Sequence, residues 1–330
     1  MSKSKILTGA LIICLAALGV AGWFMFGRGA GMTYANAGKY TAGDTTVSSP
    51  VENLDINWTS GRVNIEYHAG DGVTVRETAN RTLSEDDRIR WWLDGTTLRV
   101  QFCKPGFRFF VNLEKTLTVS LPEGTVLKTA GIRATSADLE IADLAAGEIV
   151  IETTSGDIRA ATAAKQLKAG ATSGAITLRQ DASADSVGLS STSGSISLTL
   201  ADAKEVAVDA TSGEIGVTMT GSADSVRLHS TSGTVRADLA SADRADLSST
   251  SGGVDVSLAA FKELKVGSTS GDVTAHLTAE PGFSGRLSTT SGSVSSELAL
   301  EKNGNTYACG DGSAQVDIGT TSGSIRLLKR

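Results

Sequence analysis

Leu-Ser-Ser-Thr-Ser-Gly-Ser-Ile-Ser-Leu-Thr-Leu, residues 189–200, is one copy of a unit that recurs through most of the chain. Apolar residues are spaced by two on both flanks, Val187 and Leu189 before the glycine and Ile196, Leu198 and Leu200 after it. Spacing of two is the signature of a strand with one buried face, and the parity shift across Thr192-Ser193-Gly194 means that the chain turns there. Thr-Ser-Gly recurs with its glycine at Gly61, Gly156, Gly174, Gly194, Gly213, Gly233, Gly252, Gly271, Gly292 and Gly323. From Gly156 to Gly292 seven intervals cover 136 residues, a mean of 19.4. Thr135-Ser136-Ala137 is a degenerate copy.

Every copy keeps its order. Two residues after the glycine stands Ile158, Ile176, Ile196, Ile215, Val235, Val254, Val273, Val294 or Ile325, and five before it an apolar residue such as Leu228 or Leu247. One such unit cannot bury its own apolar stripe, so the pattern predicts an all-β single-chain solenoid of about 19–20 residues per coil, each strand pairing in parallel with its equivalent in the next. The corner glycines are expected to supply positive φ. The Thr and Ser before them are expected to satisfy corner main-chain groups. No apolar period near 3.6 persists, which excludes a helical repeat. Residues 131–330 form the repeats, and an insertion at 300–313 is expected to cap the C-terminal end. Residues 47–130 carry Trp58, Trp91, Trp92, Phe102, Phe107, Phe109 and Phe110 beside a full copy at Leu54–Ile65, and are expected to form an aromatic β cap with the first coils.

The runs DINWTSGRVNIE, DGTTLRV and KTLTVSLPEGTVL, the iterated TTSGDI-like copies and the closing IGTTSGSIRLL resemble a bacterial adhesin-like family of unknown function built from Thr-Ser-Gly-Asp β-strand repeats. The resemblance covers about residues 47–330. It implies a surface β-solenoid linked to the cell envelope and to envelope stress, and carries over no catalytic or ligand residue. The Asp after the glycine survives only at Asp157 and Asp272, which argues against a repeated metal ligand.

Residues 6–26 form a run of 21 without a charge, long enough for one bilayer core. Lys3 and Lys5 precede it, which places the N-terminus in the cytoplasm and the bulk outside. The expected layout is a stub at 1–5, a transmembrane helix at 6–26 and a flexible spacer at 27–46, giving a single-pass cell-membrane protein. Cleavage at Ala35-Asn36-Ala37 is the alternative, and would leave a secreted chain.

The chain has 330 residues and a net charge of −6, which excludes an extended basic surface for nucleic acid. Three cysteines cannot build a disulfide framework, and Cys103 and Cys309 fall at opposite ends of the expected stack. His68, His229 and His276 share no metal-ligand spacing, so neither metal nor cofactor is expected. Asp238, Asp255 and Asp272 stand at glycine plus five, three and one of consecutive coils, a diagonal on the outer face. Their bland reading is a solvated mixed-charge face; their sharp one is the carboxylate set of a carbohydrate-active enzyme. Phe107, Arg108, Phe109 and Phe110 form the one aromatic-basic cluster, a contact for a membrane or partner if it is not cap core. The expectation is a non-enzymatic binding or scaffold protein, an adhesin or envelope-stress factor, whose partner is a cell-envelope polymer or a membrane protein. A regulatory ectodomain partnering a membrane sensor is a further alternative.

Overall fold

The computed structural model describes residues 34–106, 113–278 and 282–330. The apolar run 6–26 and the cluster Phe107–Phe110 lie outside these. Among the described residues there is no α-helix, and no helix long and apolar enough to cross a membrane. Apart from two 3-10 turns, Ala37–Lys39 and Glu85–Asp87, their regular structure is all β.

The coil Ile215–Ser230 represents the rest. Ile215, Val217 and Met219, then Ala223, then Val226, Leu228 and Ser230 are buried. Their alternation breaks after Met219, after Ala223 and across Thr231–Gly233, so each coil bends at three places around one narrow core. Consecutive coils pair in parallel with equivalent residues side by side: Ile158, Ile176, Ile196, Ile215, Val235, Val254 and Val273 form one unbroken row. Each such buried aliphatic side chain contributes roughly 1.5–3 kcal/mol. β-Branched residues suit these positions because they pack well on a pleated surface.

At both ends, the order in the stack departs from the order in the chain. Ile325 pairs with Val273 on one side and Val294 on the other, and Ile318 likewise lies between Val266 and Leu287. The last coil of the chain is thus inserted beneath the one that precedes it. The same device closes the other end, where Gly61 pairs with Ala137 on one side and Lys115 on the other. The aromatic N-terminal part is therefore built from true coils in exchanged order. It is finished by antiparallel strands: Val73–Ala79 covers Lys115–Pro122, and Arg90–Asp94 covers Thr97–Gln101. Thr45–Val47 and Thr41–Ala42 in turn lie outside those two, so the described part of the expected flexible spacer at 27–46 is instead ordered into the cap, its strands held by main-chain pairing. At the C-terminal end Thr306–Cys309, from the capping insertion, pairs antiparallel with the strand that begins at Phe283.

The corner glycines are needed for a reason other than the expected one. Gly61 has φ +95°, but Gly156, Gly174, Gly194, Gly213, Gly233, Gly252, Gly271, Gly292 and Gly323 do not enter the positive-φ region. Their constraint is contact between coils. A Cβ on Gly213 would lie 2.0 Å from the Gly194 carbonyl oxygen, and one on Gly174 would lie 1.7 Å from that of Gly156. Gly323 and Gly292 keep the column running through the exchanged end, against Gly271 and Gly323 respectively.

The corner hydroxyls also differ from expectation. The residue three before the glycine does the capping. Ser230 Oγ accepts the Gly233 N–H and donates to Gly213 O, and Ser249 and Ser268 repeat this one and two coils on. The Thr and Ser of the triplet instead use their main chains, as where Ser232 N–H donates to Thr211 O.

Gly213→Ala should lower the melting temperature by several degrees, because the two coils must separate at a cost of roughly 1–3 kcal/mol. Gly216→Ala should stay within about 0.5 kcal/mol of the parent, since a Cβ there meets nothing closer than 3.9 Å. Thermal unfolding of the two variants checks this, and equal losses would contradict the contact-column account.

Candidate functional site

Positions one, three and five after each corner glycine point outward on a single face. At the third position the order along the stack is Glu140, Arg159, Thr177, Ser197, Gly216, Arg236 and Asp255. Small side chains therefore lie between two arginines. The result is two shallow depressions that meet at Ser197, of about 600 Å³ and about 430 Å³. Glu140, Arg159 and Arg179 border the first, and Arg236, Asp238, Asp255 and His276 the second.

The charges on this face are tied to one another. Arg159 holds Glu140 at 3.2 Å and Asp157 at 2.7 Å, and these two carboxylates keep its guanidinium above the usual arginine range. Arg236 pairs with Glu214. Asp238, Asp255 and Asp272 do lie on a diagonal, since Arg236 is the register partner of Asp255 and Asp255 that of Thr274. Each has its own partner: Asp238 meets Arg330 at 3.0 Å, Asp255 the His276 Nε2 at 3.6 Å, and Asp272 the Arg326 guanidinium at 3.5 Å. Asp272 also accepts the Ser324 N–H. Asp157 accepts that of Ala175 and Asp138 that of Asp157, so an Asp after the corner ties its coil to the next.

The histidines are dispersed. His68 hydrogen-bonds within its own turn to Gly70 N–H and the Gly72 carbonyl. His229 Nδ1 meets Ser248 Oγ at 3.0 Å. Among the described residues no three His, Cys, Asp or Glu side chains are grouped as metal ligands would be. Cys103 and Cys309 are buried and not disulfide-bonded, and the Cys103 thiol donates to the Lys104 carbonyl at 3.3 Å.

A buried ion pair in the N-terminal cap escaped sequence reasoning. Lys115 occupies the corner position of the outermost coil, where no further coil demands a glycine. Its chain turns inward over the Trp58 and Phe102 rings. Its Nζ contacts Glu77 Oε2 at 2.5 Å and donates to the carbonyls of Phe102 and Asp87. Burial pushes the lysine below its usual range, and Glu77 opposes that shift. With three oxygen partners around it, the ammonium is a structural plug. A basic residue at a glycine position was the available signal. The trough of small residues was legible too, by reading the third position down the repeats.

A family model described as Toastrack DUF4097 matches residues 51–263 and again 245–328. Among curated proteins none matches. Three similar solved structures are a "putative cell adhesion protein" from Clostridium sporogenes and two chains named "putative adhesin", from Bacteroides fragilis and Parabacteroides distasonis. The first is 14% identical, with 88% of this chain and 100% of that one covered and a TM-score of 0.20. The second is 12% identical over 88% and 97%, with a TM-score of 0.34. The third is 13% identical over 87% and 97%, with a TM-score of 0.40. None of the three likenesses is close enough to assign a function to this chain.

Asp209 gives a pH test of the outer surface. Burial raises its carboxyl above the ordinary aspartate value, with His229 and Arg227 opposing. The folded state therefore holds the proton more tightly than the unfolded one, and stability is lost as pH rises from the unfolded value through the raised one. Asp209→Asn should raise the melting temperature by about 2 °C at neutral pH and leave it unchanged near pH 3, where both forms are uncharged. Calorimetry at the two pH values checks this.

Proposed function

The chain belongs to the Toastrack DUF4097 family, and on that premise we propose that it is a membrane-anchored, extracytoplasmic binding or scaffold protein of the cell envelope. Residues 6–26 are the anchor, with the N-terminus in the cytoplasm and the solenoid outside. The observation that carries the binding role is the outer face itself: a long trough floored by Thr177, Ser197 and Gly216 and bordered by arginines and carboxylates. Such a surface offers many weak polar contacts to an extended partner. A cell-envelope polymer or a membrane protein is the partner class that the location implies.

The role is adhesive or structural and not catalytic. Proton transfer needs a carboxylate free to donate or accept at the substrate. Asp238, Asp255 and Asp272 are instead engaged with Arg330, His276 and Arg326. A carbohydrate-active enzyme is the second reading, favoured by one observation: Asp238, Asp255 and His276 border the same depression.

The full chain should sediment with envelope polymers and release no soluble fragments from peptidoglycan, teichoic acid or common polysaccharides. The triple variant Asp238→Asn, Asp255→Asn, Asp272→Asn should also release none. Turnover by the parent that falls at least a hundredfold in the triple variant would replace the binding reading with the enzymatic one.

A further inference from the structure

We propose that Tyr34, Tyr40, Trp92 and Lys39, at the tip of the N-terminal cap, rest in the headgroup layer of the outer leaflet and hold this end of the solenoid against the membrane. The cluster forms where the chain enters the described structure. Asn36 at φ +58° and the 3-10 turn Ala37–Lys39 fold the chain back on itself. That turn brings the Tyr34 and Tyr40 rings edge to face, with centroids 4.8 Å apart. Tyr40 meets Trp92 in the same way at 5.6 Å. Lys39 Nζ stands 4.7 Å from the Trp92 ring centroid, and the Arg99 guanidinium 6.0 Å from it.

Core packing does not account for these three rings. Trp91 and Leu93 pack against the hydrophobic core, and strand alternation turns Trp92, between them, to the outer face. Tyr34, Tyr40 and Trp92 are each half-buried, whereas Phe102, Phe261 and Phe283 are fully inside. The rings left at the tip are thus of the two aromatic types that carry a polar handle, and the Tyr34 hydroxyl donates to the Cys103 carbonyl at 3.0 Å. Tyrosine and tryptophan concentrate at membrane–water boundaries because one end of the side chain is apolar and the other polar. Lys39 is exposed and has no carboxylate partner among the described residues, while Asp55 and Asp94 neutralise Arg99. An unpaired cation on an aromatic plate suits the lipid phosphate layer.

The length of the tether selects the bilayer as the occupant, which rests on the reading of residues 6–26 as an anchor. Seven residues, 27–33, separate that apolar run from Tyr34. They extend at most about 25 Å. The headgroup layer on each side of the hydrocarbon core is roughly 5–7 Å thick, so the tether spans it with length to spare. A surface held so close meets the bilayer at a high effective concentration, and a small patch then suffices where a free one would not.

Docking also orients the trough. Asn64 and Glu66 of the cap coil border its first depression, and Asp255 and His276, farther along the stack, border its second. With the cap held at the bilayer, the trough starts near the membrane surface and runs away from it, presenting its length to the envelope outside.

Fluorescence quenching in vesicles tests the docking. The full chain, with its native cysteines replaced by alanine, takes one nitrobenzoxadiazole probe, at Gly38→Cys beside the cluster or at Ser295→Cys on the outermost coil of the far end. Gly38 accepts the change because a Cβ there meets nothing within 4 Å, and Ser295 is exposed. Both chains are reconstituted in phosphatidylglycerol-containing vesicles that carry a nitroxide on the lipid headgroup. The probe at residue 38 should be quenched several-fold more than the probe at residue 295. Trp92→Leu and Lys39→Glu should each at least halve that quenching, and the second of these changes an exposed side chain outside the core, so the fold is kept. Equal quenching at the two sites would overturn the docking. So would quenching at residue 38 that either variant leaves unchanged, because the tether alone would then account for it. Flotation of the same vesicles separates the two readings: a chain that floats without preferential quenching keeps the anchor and loses the docking, and a chain that does not float loses both.

Discussion

Neighbouring coils of this solenoid touch, main chain to main chain, along a column of glycines in which each Cα rests against the carbonyl oxygen of the corner beneath. A methyl group on Gly194 or Gly233 would lie within 2 Å of that oxygen. Strand spacing of about 4.8 Å leaves no room for it where the chain turns sharply. The other features depend on that approach. The hydroxyls of Ser230, Ser249 and Ser268 can bridge one corner to the next only because the corners lie so close. The aliphatic rows stay in register because the corners do. Where the column ends, at Lys115, a long side chain becomes possible, and the cap is built around it.

Periodicity made most of the fold legible. The alternation on either side of Thr-Ser-Gly marked the strands, and the recurrence of Ile196, Ile215 and Val235 marked the parallel rows. Three things were hidden. Glycine in a turn suggests positive φ, and sequence alone does not separate that need from the need for close approach. The serine at the third position before the glycine varies with alanine at Ala171 and Ala210, so its role does not stand out as the triplet does. The exchanged order of the end coils leaves almost no trace, because Ile325 would fit against Val294 or Val273 equally well. Only the long interval before Gly323 hinted that the chain travels before it returns.

The surface was less legible than the core, for a physical reason. Core positions are constrained by neighbours on all sides, whereas outward positions need only remain soluble. The diagonal of Asp238, Asp255 and Asp272 was visible as a pattern, but its partners were not. Arg330 reaches Asp238 from the chain's last residue, and Arg326 reaches Asp272, because the last coil is inserted next to the coil of Thr274. Exchange at the end thus supplies cations to carboxylates that sequence order would leave far from them. The same exchange leaves the Gly292 coil outermost.

Disulfide trapping at the exchanged end tests this account most directly. With the native cysteines replaced by alanine, Thr274→Cys combined with Arg326→Cys places two thiols on register partners one strand spacing apart, within bridging range. Thr274→Cys combined with Ser295→Cys places them two spacings apart, since Ser295 pairs with Arg326. Mild oxidation should close the first pair quantitatively and the second not at all. Closure of the second pair and not of the first would mean that the coils stack in chain order, and the account of both ends would fall with it.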